Sequence, residues 1–205
     1  MMKLTALIMA GGRGERLGLK VEKPMLDIGG APMIRKVIDA CRGSRYIDEV
    51  MVAVSEYTPM TREYAERIGF CRVVDTPGNG YHEDMHYVIS RFRKGSYLVV
   101  AADLPALSNE TIDKIAEHYL GCGKPALAVM VPLSLFSAYG LKPTFTMKVE
   151  GNDCVPCGIN AIKSSMIDQD YIDEKMLVID DPSVCININT LNDFEALLKG
   201  KWIKK

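Results

Sequence analysis

The feature that most restricts the fold is an apolar strand pattern that runs directly into a glycine-rich loop. Leu4–Ala10 predicts a buried β-strand, and the segment Gly11–Gly18 follows it without a break. Glycines let consecutive backbone N–H groups turn toward a polyanion, while Arg13, Arg16 and the nearby Lys23 supply positive charge for phosphate oxygens. The pattern therefore predicts a triphosphate-binding loop at the end of the first strand.

Two familiar phosphate-binding loops do not fit the spacing. A dinucleotide fingerprint needs a third glycine where Leu17 stands, and a Walker loop needs adjacent Gly and Lys, which Leu19 separates here. The other explanation is a glycine-rich turn on a charged surface, and the agreement of further segments argues against it.

Short runs rich in Val, Ile, Leu and Ala alternate with segments of helical period. Predicted strands are Leu4–Ala10, Glu49–Val54, Cys71–Val74, Tyr97–Ala101 and Ala126–Val131. Predicted helices are Met33–Cys41, Thr61–Ile68, Glu83–Phe92 and Asn109–Tyr119. This alternation is typical of an α/β fold, so we predict a Rossmann-like, doubly wound, mostly parallel sheet flanked by helices. With 205 residues, 48% of them hydrophobic, we expect a single domain 1–205.

The pattern changes after Pro132. A polar stretch runs to Gly140. After it, the predicted strands are Phe145–Val149, Lys175–Ile179 and Val184–Ile188, with a turn at Gly151–Asp153 and a closing helix at Asp193–Lys199. We expect a nucleotide-binding half at about 1–131 and an acceptor-side half at about 132–205.

The charge balance excludes several partners. The 25 basic and 26 acidic residues nearly cancel, so no net field favours nucleic acid or an anionic membrane, and we expect small-molecule partners.

No apolar run reaches the roughly 18 residues of a membrane span, and the first residues lead into a strand, so we expect a cytoplasmic protein without a cleavable signal. The six cysteines show no disulfide framework. A metal role for the pair Cys154 and Cys157 is unsupported because no second pair exists.

Asp103 follows the predicted strand Tyr97–Ala101 after one intervening residue, Ala102. Open α/β sheets bind ligands at the carboxyl ends of their strands, and Mg²⁺ needs only one or two carboxylates beside water and phosphate oxygens. Asp103 is therefore the candidate metal ligand. The alternative is a cap for the helix that begins near Ser108.

Other polar groups are placed less firmly by the sequence. Alternation along 186–190 sets Asn187 and Asn189 on one face, where they can reach a shared ligand or form a solvated edge. Asp75 and the turn that contains Asn79 and Gly80 can offer groups that pair with guanine, or form a plain surface turn. Asp84, which lies between two histidines in sequence, is interpreted as a solvated helix-surface charge.

The segment Leu7–Gly18 with Glu22-Lys23-Pro24 resembles the MobA-like nucleotidyltransferases. Further segments resemble the archaeal type of adenosylcobinamide-phosphate guanylyltransferase, so that the likeness covers essentially the whole chain: Tyr57–Pro59, Asp75–Tyr81, Val99–Leu104, Ala126–Pro132, Gly158–Asn160 and Ile186–Thr190. One departure is Arg13, where many members carry lysine, which preserves charge but changes hydrogen-bond geometry.

The resemblance implies transfer of GMP from GTP to adenosylcobinamide phosphate, with Mg²⁺, in cobalamin biosynthesis. It implies catalytic roles for Arg13, Arg16, Lys23 and Asp103, and metal contacts from Asp103, Asn187 and Asn189. The nucleotide-binding residues it implies are Ala10, Gly11, Gly12, Arg13, Gly14, Lys23, Asp75, Asn79, Gly80, Asp103, Gly158 and Asn160. A different phosphorylated acceptor (molybdopterin, a sugar phosphate or phospholactate), a GTP-binding module without turnover, and a homodimer are left open.

Overall fold

The computed structural model describes residues 2–14, 21–93, 95–141, 143 and 145–188. Its strands are β1 (Leu4–Met9), β2 (Ile47–Val54), β3 (Arg72–Asp75), β4 (Ser96–Ala101), β5 (Ala126–Pro132), β6 (Met147–Val149), β7 (Asn152–Lys163) and β8 (Glu174–Val178). Its helices are α1 (Met33–Gly43), α2 (Pro59–Ile68), α3 (Tyr81–Phe92), α4 (Asn109–Gly121), α5 (Leu133–Ala138) and α6 (Pro182–Cys185). Short 3₁₀ turns span Lys23–Met25 and Ser164–Met166.

The described strands form one sheet in the order β3-β2-β1-β4-β7-β5-β8, with β6 added to β7. The pairs β3/β2, β2/β1, β1/β4 and β5/β8 are parallel, whereas β7 runs antiparallel to β4, β5 and β6. The chain moves outward from β1 to β3 and then returns to place β4 on the other side of β1. The crevice between β1 and β4 is thus a topological switch point, where sheets of this kind bind ligands.

The core lies on both faces of the sheet. Ile8 packs into the larger cluster with residues of α1 and α4, whereas its neighbour Leu7 packs into a second cluster with Val88 and Ile89 of α3. Successive side chains point to opposite faces of the sheet, and helices pack on each face. Both strand residues are therefore fully buried. This arrangement confirms the predicted doubly wound, mostly parallel sheet flanked by helices.

The second half of the chain differs from the sequence prediction. The strand predicted at Val184–Ile188 is wrong, because Pro182 opens the short helix α6, which Asp181 caps by accepting a hydrogen bond from Ser183 N at 2.9 Å. The stretch assigned as polar up to Gly140 contains α5.

The sequence pattern predicts a turn at Gly151–Asp153 but does not predict the antiparallel strand β7. Glu150 and Gly151, both at positive φ, make the β6–β7 turn, and β7 already begins at Asn152. Pro156 and Gly158 interrupt the strand pattern, since both residues weaken a strand, yet β7 lies between β4 and β5 at the centre of the sheet. The closing helix predicted at Asp193–Lys199 lies outside the described residues. Within the described part, no helix is long and apolar enough to cross a bilayer.

Candidate active site

A cavity of about 740 Å³ opens at the carboxyl ends of β1 and β4. Its walls come from the glycine loop after β1, from Lys23 and Pro24, from the turn 78–80 with the start of α3, and from the end of β4 at Ala101–Asp103. The volume lies within the range of small-molecule sites. The cavity therefore joins most of the predicted nucleotide-binding residues.

The glycine loop is tied to the end of β2. Ala10 N donates to Ala53 O at 2.9 Å, and Ser55 Oγ donates to Gly11 O at 2.7 Å. A β-carbon on Gly11 would lie 3.3 Å from the Ser55 β-carbon, so the close approach of loop and strand depends on glycine. Gly14 has φ of 66°, a conformation that side chains disfavour. The loop backbone from Ala10 to Gly14 is thus held against the sheet at one wall of the cavity.

Arg13 lies over Tyr57 at the rim of the cavity. Its guanidinium carbon lies 4.3 Å from the ring centroid, and Nη2 donates to the tyrosine hydroxyl at 2.7 Å. Stacking of this kind fixes the plane of the guanidinium group. Arg13 is therefore placed as an exposed, oriented cation beside the glycine loop. Arg16 lies outside the described residues.

Lys23 and Asp103 meet at the floor of the cavity. Lys23 Nζ lies 2.5 Å from Asp103 Oδ2, and the two side chains are 16% and 19% exposed. The second carboxylate oxygen, Asp103 Oδ1, is buried and has no hydrogen-bond partner among the described residues. A buried acceptor of this kind is costly unless something binds it. The two residues predicted to act on the α-phosphate thus lie side by side, with one carboxylate oxygen left over.

Glu22 fixes the backbone next to Lys23. Its carboxylate accepts hydrogen bonds from Met60 N at 2.6 Å, Thr61 N at 2.7 Å and Thr61 Oγ1 at 2.6 Å, at the start of α2. Backbone N–H groups in a helix's first turn lack partners within the helix, so this acid caps α2 from outside. The sequence alone indicates no separate role for Glu22, since its partners lie 38 and 39 residues away along the chain.

The turn between β3 and α3 carries Asn79 and Gly80 into the cavity wall. Gly78 and Asn79 donate their backbone N–H groups to Asp84 Oδ1 at 3.0 and 3.3 Å. Asp84 is 4% exposed and lines the cavity, so its interpretation as a solvated helix-surface charge is wrong. The burial follows from the turn, because folding back over the first turn of α3 covers this side chain.

Asp75 is not brought into the cavity. It ends β3, the outermost strand on that side of the sheet, and its largely exposed side chain pairs with Arg62 of α2. Its role in base recognition stays a prediction, to which this placement adds nothing.

The strand β7 brings Gly158 and Asn160 beside the end of β4. Gly158 has φ of 80°, and a β-carbon there would lie 3.0 Å from that of Ala101, so glycine permits the close approach. Asn160 Nδ2 donates to the Tyr81 hydroxyl at 3.3 Å, and Tyr81 lines the cavity. Burial raises the pKa of Tyr81 to about 12, so its hydroxyl keeps its proton at neutral pH. Gly158 and Asn160 thus act on the cavity through Ala101 and Tyr81.

The segment after α6 returns to Asp103. Ile188 N donates to Asp103 O at 3.2 Å, and Ile186 and Ile188 are buried while Asn187 is half-buried. The alternation seen in the sequence therefore survives although the segment is not a strand. Asn187 lies one residue from the Asp103 contact, and Asn189 lies outside the described residues.

The comparisons agree with this geometry. A family model described as the MobA-like NTP transferase domain matches residues 6–135. The chain is also 34% identical to the adenosylcobinamide-phosphate guanylyltransferase of Methanocaldococcus jannaschii, over 96% of this chain and 98% of that protein. This chain belongs to the MobA-like NTP transferase family. It is a nucleotidyltransferase.

Two further comparisons concern a less similar protein and a solved structure. The chain is 26% identical to a probable molybdenum cofactor guanylyltransferase of Thermococcus gammatolerans, over 94% of this chain and 98% of that protein. The structure of a CMP:2-keto-3-deoxy-manno-octonic acid synthetase complexed with CTP superposes with a TM-score of 0.74, covering 99% of this chain and 100% of the other at 14% identity. That likeness shows the fold alone.

In this nucleotidyltransferase the donor set for a metal is small but suitable. The described residues contain no group of three or more His, Cys, Asp or Glu side chains that could hold a metal by themselves. Mg²⁺ does not need one, because phosphate oxygens and water complete its shell. Asp103 Oδ1, which is buried and has no partner within the described ranges, matches that chemistry. Cys154 and Cys157 are buried in β7, and burial raises the pKa of Cys157 to about 12, so its thiol stays protonated.

Proposed function

We propose that this enzyme transfers GMP from GTP to adenosylcobinamide phosphate, giving adenosylcobinamide-GDP and pyrophosphate. The observation that carries the proposal is the 34% identity to a protein named for that reaction, which extends over 96% of this chain. The similarity therefore includes the region after residue 131, which supplies β6, β7 and the segment beside Asp103. The proposal keeps a nucleotide side at about 1–131 and an acceptor side at about 132–205.

In the proposed reaction, an oxygen of the acceptor phosphate attacks the α-phosphorus of GTP. The new O–P bond forms as the bond between the α-phosphorus and the bridging oxygen breaks, and pyrophosphate carries away the electron pair. A phosphate monoester is already ionised at neutral pH, so no side chain has to remove a proton from it. The enzyme's task is to position the two anions and to neutralise their charge.

The backbone amides and the cations of the cavity would bind different phosphates of GTP. The loop amides from Ala10 to Gly14, with Arg13 and Arg16, would hold the β- and γ-phosphates. Lys23, which pairs with Asp103 in the free protein, would exchange this carboxylate for oxygens of the α-phosphate. Stacking on Tyr57 fixes Arg13 before the nucleotide arrives, which lowers the ordering cost of binding.

Asp103, together with Asn187 and Asn189, would hold a magnesium ion, whose chemistry when bound is Lewis-acid neutralisation of phosphate oxygens. The support is the unpartnered Asp103 Oδ1 and the position of Ile188 beside the Asp103 backbone. The cytoplasmic location expected from the sequence stays part of the proposal.

The test is a matrix of nucleotides against acceptors with pyrophosphate detection. Purified enzyme is mixed with GTP or ATP and with adenosylcobinamide phosphate, molybdopterin or no acceptor. We expect pyrophosphate only from GTP with adenosylcobinamide phosphate. Release with molybdopterin alone would move the enzyme to the activity for which the Thermococcus gammatolerans relative is named. GTP binding without release from any acceptor would leave a binding module.

A further inference from the structure

The buried carboxylate of Asp84 has one oxygen engaged and one available. Oδ1 accepts the backbone N–H groups of Gly78 and Asn79 at 3.0 and 3.3 Å. Oδ2 has no partner among the described residues, although the residue is 4% exposed and lines the cavity. The two amides therefore fix the plane of the carboxylate, and the remaining oxygen is offered to whatever occupies the cavity.

The charge of Asp84 restricts which part of a nucleotide can lie against it. No cation pairs with it among the described residues, so a triphosphate placed there would be repelled. The positive groups, Arg13 and Lys23, lie at the glycine loop and at Asp103. Asp84 must therefore face a neutral part of the nucleotide that donates hydrogen bonds.

We propose that Asp84 Oδ2 recognises the guanine base by accepting hydrogen bonds from its N1–H and N2–H groups. The inference rests on the proposed use of GTP and assigns the base contact to Asp84, where the sequence had suggested Asp75. Adenine presents a lone pair at N1, and xanthine presents a carbonyl oxygen in place of the 2-amino group. Both would set an acceptor against a carboxylate oxygen, so both are rejected.

The same geometry determines what an asparagine at this position would do. In Asp84→Asn, the amide oxygen must stay on the Gly78 and Asn79 N–H groups, because the amide NH₂ cannot accept hydrogen bonds. The NH₂ group then faces the cavity as a donor. This donor repels the guanine N–H groups and matches the xanthine carbonyl. The substitution therefore keeps the support of the turn and reverses the preference for the base.

The experiment is calorimetric titration of wild type and Asp84→Asn with GTP, ITP, XTP and ATP, without acceptor. We expect D84N to lose roughly tenfold to hundredfold in GTP affinity, the usual scale for a hydrogen bond to a charged group, and to gain in XTP affinity. Asp113→Asn is the matched control, since Asp113 is also a buried aspartate that accepts a backbone N–H but lies away from the cavity. It should keep the wild-type order of nucleotides.

Four outcomes would overturn the inference. An equal loss for all nucleotides in D84N would assign Asp84 to the ribose or to support of the turn. An unchanged preference in D84N, or a shift produced instead by Asp75→Asn, would remove Asp84 from base recognition. If D84N does not fold, wild type alone decides, because XTP that binds it as tightly as GTP contradicts the proposal. Equal wild-type affinities for GTP and ATP would instead refute the proposed use of GTP.

Discussion

Two aspartates each pair with a cation, and they differ in how many of their hydrogen-bond acceptors are occupied. Asp103 lies just beyond the carboxyl end of β4, whereas Asp113 lies in α4 and contacts the residues before β2. Asp113 accepts three hydrogen bonds, from Ser44 Oγ at 2.6 Å, Arg45 N at 2.9 Å and Arg45 Nε at 2.7 Å. Asp103 accepts one from Lys23, and its buried Oδ1 has none among the described residues.

We propose on this basis that Asp113 and Arg45 form a structural pair, whereas Asp103 and Lys23 form a functional one. Ser44 and Arg45 precede β2, so Asp113 joins α4 to the amino end of this strand, away from the cavity. Its carboxylate has both oxygens occupied and can stabilise the fold without any ligand. Asp103 leaves a buried acceptor without a partner in the part of the chain that the structure describes, which costs stability in the free protein and favours binding of a ligand.

The largest expected effect tests the functional member of the comparison. Asp103→Asn should lower GMP transfer by about 10³-fold or more, because it removes the carboxylate proposed to hold the metal. The substitution keeps the size of the side chain, so the protein should still fold and bind GTP through the glycine loop. Pyrophosphate release across a magnesium titration measures the first effect, and a melting curve measures the second.

Asp113→Asn is the matched control for that experiment. The same chemical change at Asp113, away from the cavity, should leave turnover at the wild-type level and lower the melting temperature. Wild-type rates for D103N at every magnesium concentration would reject Asp103 as a metal ligand. A loss of turnover in folded D113N would reject the division between the two pairs.

The next effect concerns the cation of the functional pair. Lys23→Ala should lower turnover by about 10²-fold while changing GTP affinity less, because Arg13 and the loop amides still hold the terminal phosphates. Steady-state kinetics beside calorimetric GTP titration separates the two quantities. A collapse of affinity with unchanged turnover at saturation would make Lys23 a ground-state binder only.

A smaller effect tests how the functional pair is positioned. Glu22→Ala should lower turnover about tenfold, because Lys23 loses the fixed backbone beside it and small misplacements of catalytic groups are costly. The lost cap of α2 should also cost about 1–2 kcal/mol of stability. Asp113→Asn again supplies a comparison of similar stability cost. If both variants keep full turnover after correction for folded fraction, Glu22 only caps the helix.

Much of the proposed phosphate side of the cavity could be predicted from sequence, because most of its parts come soon after strand ends. The glycine loop and Asp103 each follow a predicted strand, Lys23 comes a short way after the loop in sequence, and the parallel order of β1 and β4 brings them together. Local pattern and tertiary position therefore carry the same information there.

The proposed base side depends on contacts that no local sequence pattern predicts. Asp75 lies at the carboxyl end of a strand and Asp103 lies just beyond one, but strand order places β3 at the edge of the sheet, and sequence alone does not give that order. Asp84 has the spacing of a solvated helix residue, and the turn at Gly78 and Asn79 that buries it is a feature of tertiary structure.

The smallest expected effect is the pH dependence of the structural pair. Partial burial raises the pKa of Asp113, but hydrogen bonds from Ser44 and Arg45 outweigh this, so that its pKa lies below the usual value. Since the folded pKa is depressed, its contribution to stability is present above the unfolded pKa, near 3.9, and is lost as pH falls through the folded value. Wild type should therefore be more stable than Asp113→Asn by about 1–2 kcal/mol at pH 7, the scale of a hydrogen bond to a charged group.

Urea unfolding of wild type and D113N at several pH values from 7 down to 3 measures the prediction. The difference in unfolding free energy should stay constant down to about pH 5 and shrink below about pH 4, because protonation of Asp113 removes the charge that the variant lacks. A constant difference over the whole range would mean that side-chain shape and packing, rather than the carboxylate charge, make Asp113 stabilising. The contrast with Asp103 would then rest on hydrogen-bond satisfaction alone.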